Sequence, residues 1–163
     1  MTPTTESPRD LSGTHGFDFL TGSWRVHHTV KRTTGDWWEF DGTSVNRSLM
    51  DGSANVEDNT FYKPTGITHG VALRAYDVKT NQWAIWWLDS RDPLGPHDPP
   101  QVGRFEAGIG LFYSDFLENG APMRLRFLWS EITPVSARWE QSTSADGDKT
   151  WQPNWIMEFR RSE

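Results

Sequence analysis

The chain has 163 residues, enough for one domain, with 16 Lys+Arg against 22 Asp+Glu, a net charge of −6 and no cysteine. An acidic chain with no basic run longer than Arg160-Arg161 repels phosphate backbones, so nucleic acid is excluded as a partner, and the lack of thiols excludes a disulfide framework. No apolar run is long enough to span a bilayer and no leader-type segment is visible, so no membrane association is expected and the chain reads as cytoplasmic.

Apolar bulk is concentrated in a few large rings: there are 10 Trp, 9 Phe and 3 Tyr, yet the mean hydropathy is −0.69. Large rings spaced by polar residues suit strands with one buried face. Residues 1–12, rich in Thr, Ser and Pro, read as a flexible segment ahead of a single β-barrel domain over 13–163. Gly16-Phe17-Asp18-Phe19-Leu20 is an apolar turn able to plug a barrel end, Gly22 permits a close backbone approach, and Trp24 opens an alternating strand. In that strand Trp24, Val26, His28 and Val30 share the inward face, and Arg25, His27, Thr29 and Lys31 the outward one.

A second strand over 37–47 places Trp38, Phe40, Gly42 and Ser44 inward, with a bend expected at Gly42. After the turn at 49–53, residues 54–62 form a polar third strand, and 68–77 a fourth with Val71, Leu73 and Ala75 opposed to Ala72, Arg74 and Tyr76; the first set is taken as interior. Residues 82–89 are apolar on both faces, which predicts a fifth strand covered on both sides. Residues 91–101 hold Pro93, Pro96, Pro99 and Pro100; with donors missing and φ fixed, no ladder can form there. This long loop is expected beside the barrel mouth, as a lid or a plain crossover. Five further strands follow, over 102–105, 110–117, 123–131, 136–144 and 151–160, separated by short turns that imply antiparallel neighbours. The fold class is therefore all-β, an antiparallel up-and-down barrel of about eight to ten strands.

Gly22-x-Trp24 just after an N-terminal turn resembles the entry signature of lipocalin-like (calycin) barrels. The wider set Phe17-x-Phe19-Leu20-x-Gly22-x-Trp24, Trp87-Leu88-Asp89-Ser90-Arg91 and Asn154-Trp155-x-Met157-x-Phe159 resembles a family of small lipocalin-like bacterial proteins of unknown function, over nearly the whole chain after Leu11. The resemblance implies a calycin barrel with a C-terminal arginine, Arg160 or Arg161, packed over Trp24.

The inward rows are aromatic with few polar groups, which fits a pocket for a small hydrophobic or aromatic metabolite. Trp24, His28, Trp38, Trp87, Trp129, Trp139, Gln141 and Trp155 are the expected ligand contacts. The competing expectation is that the tryptophans simply fill the barrel. The alternative function is a cofactor-independent isomerase, cyclase or hydro-lyase, in which the inward His28 and Asp89, at the end of strand five, move a proton. Asp89 either carries a raised pKa at the mouth or pairs with Arg91. Arg124 and Arg126 are read as outward, as are Arg138 and Glu140; an inverted register would instead bury Arg126 with Glu140. No His-x-His pair shares a strand face, so no metal site is expected. His28 alone could serve as an axial haem ligand, but the reading is that no cofactor is bound. A small ligand is the expected partner, and a second copy of the chain is the one protein partner left open. No nucleophile elbow, phosphate loop or dinucleotide fingerprint occurs.

Overall fold

Ten strands form where the sequence alternates: β1 (Gly22–Lys31), β2 (Trp37–Leu49), β3 (Ala54–Lys63), β4 (Gly66–Asp77), β5 (Gln82–Asp89), β6 (Gln101–Glu106), β7 (Ile109–Glu118), β8 (Ala121–Ser130), β9 (Ser136–Ser144) and β10 (Gln152–Arg161). They belong to a computed structural model that describes residues 12–95 and 97–162. The flexible segment expected over 1–12 lies outside the described residues except for Ser12, as does Pro96 of the proline-rich loop.

Each strand pairs antiparallel with the next, and β1 pairs with β10 from Trp24↔Arg161 to Val30↔Trp155, so the sheet closes into a barrel. Tight turns set the registers. Asn119 and Gly120 both have positive φ (49° and 79°), as a two-residue type I′ turn requires, and they lock Glu118 opposite Ala121. The β5–β6 ladder is the short one, with three paired positions from Trp83↔Gly103 to Ile85↔Gln101, so the second half of β5 pairs only with β4.

One end of the barrel is sealed by the apolar turn before β1. Two short 3-10 turns, Gly13–His15 and Asp18–Leu20, carry Phe17, Phe19 and Leu20 into the interior, where all three are buried. Phe17 meets Trp83, Phe105 and Phe112 at ring separations of 5.1, 5.0 and 5.6 Å, and Phe19 meets Trp129 at 5.5 Å. Polar ring atoms are satisfied by the plug itself: Trp24 Nε1 donates to the Leu20 carbonyl at 2.8 Å and Trp83 Nε1 to that of Gly13 at 3.2 Å. Of the two candidate arginines, Arg161 packs over Trp24, 4.1 Å from its ring centre, and donates to the carbonyls of Phe19, Thr21 and Pro134. That single guanidinium ties the last strand to the plug.

The structure corrects two sequence expectations. In β4 the face is inverted: Ala72 and Arg74 point inward (4% and 2% exposed), whereas Leu73 is 45% exposed. Hydropathy favours Leu73 for the core, but β3 presents inward Glu57 and Asn55, and Arg74 is the one residue of β4 that can neutralise and hydrogen-bond them. In β5, the outer face is not covered: Trp86 and Leu88 are exposed beside Leu73. For β8 and β9 the outward reading holds, since Arg126 lies over the Trp151 ring at 4.2 Å while Glu140 bonds Arg138 and Ser142.

Candidate functional site

Above the plug the barrel encloses a cavity of about 570 Å³. Its aromatic walls come from alternating positions of three neighbouring strands, Phe127 and Trp129 on β8, Trp139 on β9 and Trp155 on β10, with Trp87 of β5 across the space. Trp155 stands edge-on to both Trp87 (6.3 Å, 88°) and Trp139 (5.6 Å, 90°), so the rings form a right-angled corner rather than a filled stack. At the rim, Asp98 and Pro99 of the proline-rich loop reach the cavity, next to the half of β5 that β6 leaves unpaired.

The opposite wall is polar. Asn55, Glu57 and Asn59 are alternate residues of β3 and all point inward, against the expectation of few polar groups. Arg74 sits on the plug, 4.5 Å above the Phe17 ring, and its Nη2 lies 3.2 Å from Glu57 Oε2 while Nη1 donates to Asn55 Oδ1 at 2.9 Å. Asn59 Nδ2 donates to the same Glu57 oxygen at 3.2 Å. Gln101 joins the row through the register Asn55↔Arg74↔Ile85↔Gln101. Several buried atoms of this wall have no partner among the described residues: Glu57 Oε1, Asn59 Oδ1, Arg74 Nε, and both the oxygen and nitrogen of Gln101.

Of the expected contacts, Trp87, Trp129, Trp139, Gln141 and Trp155 line the cavity, and Gln141 Nε2 is fixed by a 2.8 Å bond to Asn154. Trp24, His28 and Trp38 do not. Among the described residues no lining side chain comes from β1 or β2, because that part of the barrel is filled. His28 is fully buried, stacks on Phe40 at 4.8 Å and meets Phe61 edge-on at 5.1 Å. Its Nδ1 accepts a 3.0 Å hydrogen bond from Trp155 Nε1, which leaves the proton on Nε2. Burial, reinforced by neighbouring His27 and Lys63, pushes its pKa down to about 3. The imidazole is thus a neutral support behind Trp155 and does not line the cavity.

Asp89 follows the pairing expectation, not the raised-pKa one: it accepts from Arg91 Nε and Nη2 at 3.0 and 2.8 Å, and that guanidinium holds its carboxyl below the usual range. Neither residue named for proton transfer lines the cavity. Among the described residues no cluster of three or more His, Asp or Glu is arranged to hold a metal, and no helix is long and apolar enough to cross a membrane. The polar wall was the part that sequence reasoning missed; the available signal was three polar residues, Asn55, Glu57 and Asn59, at a spacing of two.

No family model matches the chain, and no curated protein matches it by sequence. Its fold is that of lipocalin-like ten-stranded barrels. Rv2717c from M. tuberculosis superposes with a TM-score of 0.63 at 12% identity, covering 94% of this chain and 100% of that one. The S-type phycobiliprotein lyase CPES from Guillardia theta gives a TM-score of 0.60 at 10% identity, covering 93% of each chain. A third barrel, EF1p2_mFAP2b bound to DFHBI, gives 0.50 at 12% identity, over 93% of this chain and 100% of that one.

Proposed function

We propose that the protein binds a small hydrophobic or aromatic metabolite inside the barrel. The observation that carries this reading is the cavity of about 570 Å³ cornered by Trp87, Trp139 and Trp155, a volume within the range of small-molecule sites. Of the similar barrels, EF1p2_mFAP2b is bound to DFHBI, which favours ligand binding by the same architecture here. A flat ring would slide along Trp155 and Trp87 and displace water from walls that hydrate poorly.

The test is intrinsic tryptophan fluorescence titrated with 1-anilinonaphthalene-8-sulfonate, naphthalene and 2-quinolone. Saturable quenching is expected with at least one of them, weakened at least tenfold in Trp87→Ala and little changed in Trp37→Ala, whose ring is exposed on the outer surface. Quenching that survives Trp87→Ala undiminished, or no saturable response to any probe, overturns the reading.

A further inference from the structure

The proposed aromatic ligand leaves open what meets the polar wall. Cavity walls made only of rings accept any flat hydrocarbon. This one adds buried groups on one side with hydrogen-bonding capacity to spare, and they are of both kinds. Glu57 Oε1 and Asn59 Oδ1 accept, while Gln101 offers an unpaired acceptor beside an unpaired donor on one side-chain amide. Glu57, Asn59 and Gln101 are 5%, 1% and 3% exposed, and all three line the cavity.

Nearby side chains leave these atoms unmatched for a reason. The contacts of Arg74 go to Glu57 Oε2 and Asn55, and the Asn59 amide nitrogen donates to the same Glu57 oxygen, so Glu57 Oε1 is left facing the cavity and Arg74 Nε is a further donor without a partner among the described residues. Ile85, the register neighbour between Arg74 and Gln101, has nothing to give the glutamine. Such groups destabilise a fold unless something completes them.

We infer that the ligand is a neutral, planar heterocycle carrying an N–H next to a carbonyl, the edge of a lactam, cyclic imide or aminoheterocycle. This inference rests on the aromatic-ligand reading and deepens it. The Gln101 amide matches such an edge with two antiparallel hydrogen bonds, and Glu57 Oε1 and Asn59 Oδ1 take further N–H groups while the ring lies against the tryptophan corner. A carboxylate can take the Arg74 Nε and Gln101 Nε2 donors, but it leaves the Glu57 Oε1 and Asn59 Oδ1 acceptors unpaired and brings a second negative charge toward Glu57, so fatty acids and aryl carboxylates are the poorer match. A plain hydrocarbon leaves the wall unpaired, and sites built to hydrogen-bond their ligand discriminate strongly against analogues that cannot.

Four bicyclic probes of one size separate these terms on the wild-type protein by isothermal titration: 2-quinolone with a lactam edge, quinoline with one acceptor, naphthalene with neither, and 2-naphthoate with an anion. The expected order places 2-quinolone at least tenfold tighter than quinoline and naphthalene, with 2-naphthoate weakest. Gln101→Met removes the amide but keeps the volume. It should abolish the 2-quinolone preference while raising the melting temperature, a combination that a merely structural glutamine would not produce. Equal affinity for 2-quinolone and naphthalene overturns the donor–acceptor inference yet leaves aromatic binding standing. Binding of none of the four overturns both, and tightest binding of 2-naphthoate overturns the inference by reversing its charge order.

Discussion

Replacing Arg74 by methionine tests the energetic logic of the polar wall. Arg74 is 2% exposed and Glu57 5%; the substitution removes the 3.2 Å ion pair, the 2.9 Å bond to Asn55 and the guanidinium above Phe17. Glu57 would then keep Asn59 as its partner among the described residues, a buried carboxylate with no counter-charge. Removing one member of a buried pair costs about 3–5 kcal/mol, because the remaining charge stays desolvated. For a chain of this length each 1 kcal/mol moves the melting point by roughly 2–4 °C, so a fall of roughly 6–20 °C is expected. The double variant Arg74→Met/Glu57→Leu removes both charges and should recover most of the loss, because an apolar replacement of a buried pair is often neutral or better. Urea unfolding followed by tryptophan fluorescence and far-UV circular dichroism measures all four corners of the cycle. An Arg74→Met protein within about 1 kcal/mol of wild type, or a double variant no more stable than the single, would refute the reasoning. Either outcome would mean that cavity water solvates Glu57.

Other perturbations follow from the same geometry. His28 titrates near 6.5 when unfolded and about 3 when folded. Its contribution is therefore complete above pH 6.5 and lost as pH falls toward 3, because the unfolded chain binds the proton more readily; the loss is about 3–5 kcal/mol. Urea midpoints measured across that range should fall less steeply in His28→Gln than in wild type, and parallel curves would sink the assignment. Asp89→Asn breaks an ion pair whose arginine is mostly exposed, so stability should change by less than about 1 kcal/mol. Probe affinity should stay within twofold, and a large loss of affinity would put Asp89 in the site after all.

The barrel was legible because its signal is repeated: ten alternating segments, short turns and a Gly-x-Trp entry all state the same architecture, and closure follows from the need to cover edges. Aromatic positions on β8, β9 and β10 were legible for the same reason, since Phe127, Trp129, Trp139, Trp155 and Met157 alternate without interruption and all point inward. β4 was not. Leu73 and Arg74 are neighbours, and hydropathy assigns the leucine to the core; what decides the face is the charge of Glu57 on the adjoining strand, information that no window along β4 contains. His28 was rightly placed inside, but its direction around the barrel is a tertiary fact. Phe40 and Phe61 fill the β1–β3 side, and the imidazole ends up holding the back of Trp155 rather than facing the cavity.

Small residues decide where the large rings lie, and this makes Gly70 the sharpest remaining test of the cavity. Gly70 is buried on β4, and a β-carbon added there would overlap the six-membered ring of Trp87. In Gly70→Ala the indole must swing either into the cavity or out toward solvent, since the strand backbone is held on both sides by β3 and β5. Overpacking of this kind costs about 1–3 kcal/mol. Both movements break the edge-on contact with Trp155, so probe affinity should fall at least tenfold and the fluorescence maximum should shift. Gly42→Ala provides the contrast. Its β-carbon would meet the Thr60 carbonyl and the His28 ring on the filled side of the barrel, so stability should fall while the affinity of the folded protein holds. If Gly70→Ala keeps wild-type affinity and Gly42→Ala loses it, the binding space lies on the β1–β2 side, and the Trp87–Trp155 corner is packing rather than a site.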